Sequence, residues 1–316
     1  MRLILLTCAA LLAFAGNSVL CRLALRETSL DAASFTSLRI VSGALVLWLI
    51  VWARHLVAGA ARLDTQVFKA GSWWSAIALF VYAAGFSFAY IELPTAAGAL
   101  ILFGCVQATM IGYDLWCGAR LAWLQILGLI LALVGLVILL VPSADLTTLF
   151  QFGGSHSSAQ ISAAAAGTQH SLNSSLLMVA AGIAWGFYSL YGKQLGKQGK
   201  TAKDPTLVTA GNFLRAIPFA LCLSFYYLAQ ARFDELGWVY AILSGAITSG
   251  LGYALWYSAL PSLSATQAAS LQLTVPMLAA LGGVLFLGEL MSLQLLLASC
   301  AILGGVGLVL WRPKTR

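Results

Sequence analysis

Residues 85–94 read GFSFAYIELP, and residues 252–261 read GYALWYSALP. Each is an aromatic helix end that runs into a proline, Pro94 or Pro261. Each opens a small-residue and Leu-rich stretch that crosses a short break, at 117–123 or 288–292, and finishes in an apolar helix punctuated by glycine. The layout of Gly85–Leu140 therefore returns in Gly252–Trp311. With an offset of 169, Val106 falls on Val275, Gln125 on Gln294 and Gly135 on Gly304, and a two-residue slip in a turn reconciles the prolines. An offset of 171 pairs Phe14 with Trp185, Ser18 with Ser189, Arg22 with Lys193 and Arg26 with Lys197; Arg39 meets Arg215 after a five-residue loop difference. A repeat this long describes two halves of one body, not a solenoid.

Composition puts that body in a membrane. Of 316 residues, 61% are hydrophobic and 9% charged, and the mean hydropathy is +0.92, whereas a soluble domain carries about 25% charged residues. Runs such as LILALVGLVILL (129–140) do not alternate, which excludes the strands of an outer-membrane barrel. A helix of about 20 apolar residues crosses the hydrocarbon and satisfies its own backbone hydrogen bonds. Ten such spans are expected, at Leu3–Leu20, Ser34–Ala53, Trp73–Ile91, Ala96–Tyr113, Ala122–Val141, Leu176–Tyr191, Leu207–Leu228, Trp238–Tyr257, Ala265–Leu287 and Leu293–Trp311. The fold class is thus an all-α polytopic membrane protein of ten transmembrane helices. Five per half is an odd number, so the second half enters from the opposite side and the two five-helix repeats are inverted. Arg2, the run Leu3–Leu12 and Ala13-Phe14-Ala15 imitate a secretory signal. Cleavage there would destroy the pairing of the first span with the sixth, so the segment reads as a retained helix.

Charge sets the orientation. With the N-terminus inside, twelve of the seventeen Lys and Arg face the cytoplasm, three (Arg22, Arg26, Arg232) face outward, and Arg39 and Arg215 fall within spans. Positive charge stays inside, which makes both termini cytoplasmic in a multi-pass protein of the plasma (inner) membrane. The same asymmetry explains the net charge of +7 as basic cytoplasmic loops, with no nucleic-acid partner implied. The domains are residues 1–141, a linker at 142–173, and residues 174–316. The linker is rich in Ser, Ala, Gly and Gln, has no Lys or Arg, and reads as flexible and extracytoplasmic. Its His156 and His170 are too isolated to hold a metal. The six cysteines form no C-x-x-C pair. There is no H-E-x-x-H, no G-x-S-x-G, no P-loop and no pair of intramembrane Asp, so neither a cofactor nor catalysis is expected.

The segment LGELMSLQLLLASCAILGGVGLVL (287–310), with Gly288-Glu289 and Gln294, resembles the end of the second repeat in EamA-like members of the drug/metabolite transporter superfamily. The first helix (LLAFAGNSVLCRLAL), its partner (AGIAWGFYSLYGKQLGK) and the Arg-led starts SLRIVSGALVLWL and FLRAIPFALCL are similar to the matching family segments. The resemblance covers nearly the whole chain except the linker. It departs at Cys117-Gly118-Ala119-Arg120, where the family's first repeat often has Glu after Gly. What it implies is a ten-helix carrier for a small, amino-acid-like or drug-like metabolite, usually an exporter. A membrane scaffold or a lipid-modifying enzyme is the alternative, and the latter would want a His, Asp or Lys cluster at one interface.

Polar groups inside spans cost free energy unless they face protein or water, so they nominate the site. Asn17 in helix 1 has Tyr188 as its repeat partner in helix 6, with Trp185 one turn away. Helices 3 and 8 contribute Tyr82, Tyr253 and Trp256 at helical spacing, and helices 4 and 9 contribute Gln107 and Gln272. Together these describe an aromatic cavity with amide hydrogen-bonders. Tyr and Trp near helix ends also serve as interfacial belts, and a buried Gln also ties helices together. Arg39 and Arg215 are candidates to attract an anionic solute, with snorkelling as the alternative, and Glu92 and Asp114 are the proton-coupling candidates. Helices 5 and 10 carry small residues four apart, Gly128 with Ala132 and Ala301 with Gly305, which seat the helices in their own bundle or pair two chains as a homodimer.

Overall fold

The computed structural model describes residues 2–57, 66–118, 122–140, 158–197, 204–259, 262, 271–272, 274–289 and 293–310. Among them no strand occurs. The helices are α1 (Arg2–Glu27), α2 (Ala32–Val57), α3 (Gln66–Lys69), α4 (Trp73–Ala89), α5 (Thr95–Trp116), α6 (Trp123–Leu140), α7 (Ser158–Lys197), α8 (Pro205–Tyr226), α9 (Glu235–Leu243), α10 (Gly252–Ala259), α11 (Thr274–Leu287) and α12 (Leu293–Leu310). A π-helical segment, Ser244–Leu251, joins α9 to α10 in one continuous rod. Among the described residues six stretches are long and apolar enough to cross a bilayer: Leu3–Glu27, Ala32–Val57, Thr95–Tyr113, Leu172–Tyr191, Pro205–Tyr226 and Glu235–Ala259. The remaining expected spans fall on shorter apolar helices, Trp73–Ala89, Trp123–Gly135, Thr274–Leu287 and Leu295–Leu308. The expected start of the ninth span, at Ala265, lies outside the described residues.

Local chemistry explains several boundaries. Ser72 accepts from the Ser75 backbone N–H to start α4. Asp204 caps α8 just ahead of Pro205, and Asp234 caps α9 by accepting from the Gly237 N–H. These carboxylates satisfy helix N–H groups that have no intrahelical acceptor, and Pro suits the first helical position. Asp234 is half-buried, and the hydrogen bonds from Gly237 and from the Ser29 backbone hold its carboxyl below the usual range. The stretch read as a flexible linker is helical from Ser158 onward and continuous with the sixth span; residues 141–157 are outside the description.

Packing follows the small residues. α1 lies against the α9–α10 rod and α11, α7 lies against α4 and α5, and α2 lies against α8 and the π segment. α6 and α12 pack along their length. There a Cβ on Gly305 would meet the backbone of Gly128 and Ala132, so the small residues four apart face each other within one chain. The core is built from Phe35, Ile40, Leu47, Leu79, Phe86, Tyr90 and Met178, all buried. Outward faces carry Leu45, Trp74, Leu221, Phe225, Leu285 and Phe286, exposed apolar side chains that suit lipid and not water.

Candidate functional site

One side chain joins distant parts of the chain. Asn17, buried in α1, accepts at Oδ1 from the hydroxyls of Ser244 (2.7 Å) and Thr248 (3.3 Å), and its Nδ2 donates to Tyr82 Oη at 3.3 Å. The same Tyr82 oxygen accepts from Arg39 Nη2 at 2.7 Å, while Arg39 Nε donates to Ser249 Oγ at 3.2 Å. The network therefore links α1, α2, α4 and the π segment. Two features bring α2 and the π segment together. Gly245 sits so close to α2 that a Cβ would collide with the Ser42 hydroxyl and the Arg39 carbonyl oxygen. The widened turn closes i→i−5, the Gly252 N–H reaching the Ile247 carbonyl, which shifts the phase at which Ser244, Thr248 and Ser249 face inward.

Around the network lies a small cavity walled by Phe14, Tyr82, Phe86, Phe103, Trp185 and Tyr253, with Asn17, Ser18, Thr248, Ser249 and Gln272 as its polar lining. Water centres can occupy about 20 Å³ of it, room for about one water molecule. Its aromatic wall is continuous. Trp185 stacks on Tyr188 with centroids 5.2 Å apart and meets Tyr82 at 4.7 Å and Tyr253 at 5.1 Å. Phe14 meets Tyr253 and Trp256 edge-on at 5.8 Å.

A sequence profile of the EamA-like transporter family matches residues 172–311. An uncharacterised protein of Pseudomonas aeruginosa is 48% identical over 309 residues, covering 98% of this chain and 94% of that one. The chain belongs to the EamA-like transporter family. Its fold is similar to that of a protein solved by crystallography, with a TM-score of 0.57 at 18% identity over 95% of this chain and 96% of that chain.

This EamA-like cavity collects some of the residues nominated from sequence and leaves others elsewhere. Asn17, Tyr82, Trp185, Tyr253 and Gln272 line it. Tyr188 stands behind Trp185, where its hydroxyl accepts from Asn212 Nδ2 at 3.4 Å, and Trp256 stands behind Phe14. Gln107 is buried but faces a different gap, among α5, α6 and α12, beside Gly104, Ile111, Leu129 and Val306. Arg215 donates to the Gly211 carbonyl at 3.0 Å and to that of Ala70, with its guanidinium 5.9 Å from the Trp73 ring, so it ties α8 to the start of α4. Glu92 is exposed and accepts from the Ser174 hydroxyl at 2.7 Å. The side chain of Asp114 is outside the described residues.

Arg39 is the exception among the charges. It is 2% exposed, and its guanidinium carbon lies 5.1 Å from the Tyr82 ring centre and 4.9 Å from that of Phe86. Among the described residues no carboxylate pairs with it, and its Nη1 has no hydrogen-bond partner. A desolvated cation costs several kcal/mol unless it is paired.

Sequence reasoning passed over Ser244, Thr248 and Ser249. The signal was the run SGAITSG (244–250), a cluster of small hydroxyls inside an apolar span. It also left Arg22 as an outward-facing loop charge. Its side chain is buried, donates from Nη1 to the carbonyls of Tyr90 (2.8 Å) and Ile91 (2.7 Å), and pairs through Nε with Glu289 at 3.7 Å. Both Glu289 oxygens accept from the Thr95 N–H at 2.9 Å, and Oε1 also accepts from the Thr95 hydroxyl at 3.0 Å. The GEL glutamate is thus a cap on α5, where a carboxylate complements the helix N-terminus.

Proposed function

We propose that the protein is a carrier that exports a small metabolite across the plasma membrane by alternating access, with ten transmembrane helices in two inverted repeats, 1–141 and 174–316, and both termini cytoplasmic. The observation that carries this reading is the central network, in which Asn17 and Arg39 of the first half bond Ser244, Thr248 and Ser249 of the second. A site touched by both halves is what rocking one against the other requires.

The packing pattern supports the inverted repeat. Exchanging α1 with α7, α2 with α8, α4 with the α9–α10 rod, α5 with α11 and α6 with α12 turns the α4–α7 contact into that of α1 with the rod. It likewise turns α5–α7 into α1–α11, and α2 with the rod into α4–α8. The pairs α2–α8, α5–α11 and α6–α12 map onto themselves, as a twofold axis would have them. The Lys and Arg distribution supports the orientation. The water-sized cavity suits an occluded conformer, which must open to admit a solute. With their small-residue faces used internally, α6 and α12 would pair two chains through their outward apolar faces, which include Leu127, Ile130 and Leu296.

The test is flux of metabolites into or out of liposomes holding the purified protein, with the solute recovered unchanged. At matched abundance, Asn17→Ala should weaken apparent affinity by roughly two- to twelve-fold, the worth of one neutral hydrogen bond of about 0.5–1.5 kcal/mol. Trp185→Ala should cost more because it removes a wall, and Tyr188→Phe less because Tyr188 stands behind it. Wild-type kinetics in all three would move the site elsewhere. Recovery of a chemically modified product would make the protein a lipid-modifying or related enzyme.

A further inference from the structure

Resting on the carrier reading, we infer that the solute is a small monoanion, a carboxylate on an apolar or aromatic body, and that Arg39 is the residue that pairs with its charge. Three observations converge on this. The guanidinium is buried and no carboxylate among the described residues neutralises it. Nη1 has no acceptor, although Nε and Nη2 are both engaged. The neighbours that hold it, Tyr82, Phe86 and Ser249, all line the central cavity. Arg39 thus stands directly behind the cavity wall with one nitrogen, Nη1, unpartnered.

The charge balance selects the class. One buried unit of positive charge is matched by one unit of negative charge, and a carboxylate offers planar acceptors that fit a guanidinium edge. A dianionic phosphate would leave a net negative charge in a low-dielectric site with no second cation among the described residues, since Arg22 is already paired with Glu289 and Arg215 is bonded to backbone carbonyls. The rest of the lining is aromatic, and Asn17 and Gln272 are neutral, so nothing in it asks for a second charge on the solute. A carboxylate that bridges Nη1 and Nη2 competes with Tyr82 for Nη2. The weak 3.3 Å bond from Asn17 is the other tie that Tyr82 would give up.

The experiment measures thermal stability of the detergent-purified full chain. The probes are acetate, benzoate and phenylacetate, each against its own amide, at constant ionic strength. The expected result is stabilisation by one or more carboxylates and by none of the amides. Arg39→Gln should weaken the effect by about ten-fold or more, Arg39→Lys should weaken it less because the charge remains, and Arg54→Gln should leave it unchanged. Protection by amides equal to that by carboxylates, protection retained in Arg39→Gln, or no protection by any carboxylate would each overturn the proposal. If Arg39→Gln does not fold, Arg39→Lys and the acid-against-amide comparison decide. Flux of the same compounds in liposomes separates the two readings. Amides carried without carboxylates leave the carrier and overturn the anion site, whereas protection by carboxylates with no flux of any compound keeps the anion site and removes the carrier.

Discussion

Glu289 and Asn17 show how differently two buried polar side chains can serve. Asn17 accepts from two hydroxyls and donates to a third, all on elements that meet at the cavity. Glu289 instead fastens the end of α11 to the first turn of α5, with Arg22 as its counter-charge. Replacing Glu289 with Gln keeps the shape but removes the charge and turns an N–H₂ toward the Thr95 N–H or toward Arg22. The expected loss is about 1–3 kcal/mol of stability. It should appear as a lower midpoint of unfolding in denaturant, with Glu27→Gln, whose only ion pair among the described residues is with the exposed Arg26, as the little-changed control. In a double-mutant cycle with Arg22→Met the two changes should cost less together than their sum, because each leaves the other partner unpaired. Full stability of Glu289→Gln would show that the carboxylate is not what holds α5.

At the scale of elements, the contact between α2 and the π segment is the joint on which the site depends. Gly43 and Gly245 let the two backbones approach, and that approach puts Arg39 within reach of Ser249. A methyl at Gly245 must push α2 away, at an overpacking cost of about 1–3 kcal/mol. Gly304, on α12, has open space where its Cβ would go. We expect Gly245→Ala to lower the unfolding midpoint and Gly304→Ala to leave it unchanged or raise it slightly, since Ala is the better helix former. Equal behaviour of the two would mean that the α2 contact yields without cost.

For the whole molecule the open matter is which way it sits in the membrane, and the Lys and Arg asymmetry answers it with a prediction. In a background without native cysteines, Lys200→Cys should be protected from an impermeant thiol reagent in intact cells, and Ser157→Cys should be labelled. The reverse pattern would overturn the orientation, and labelling at both positions would overturn the ten-span count. The same experiment bears on the inverted repeat, because an odd number of spans per half is what turns the second half over.

Composition and period by themselves determined that this chain is a helical membrane protein, because only helices and closed barrels satisfy their hydrogen bonds inside lipid and the apolar runs do not alternate as barrel strands do. The internal likeness of Gly85–Leu140 and Gly252–Trp311, and the aromatic faces carrying Tyr82 and Tyr253, were equally legible, since both are written in local sequence. Which polar residues meet was decided only by tertiary structure. Asn17 and Gln107 look alike as lone amides in apolar spans, yet one reaches Ser244 across 227 residues and the other faces α6 and α12. Arg39 and Arg215 look alike as repeat mates, yet the first is driven into the centre by a glycine contact and the second is taken up by backbone carbonyls. Helix rotation and the extra residue of a π turn set these outcomes. Neither shows in a 3.6-residue period, because the period says that a face is buried and not which neighbour buries it.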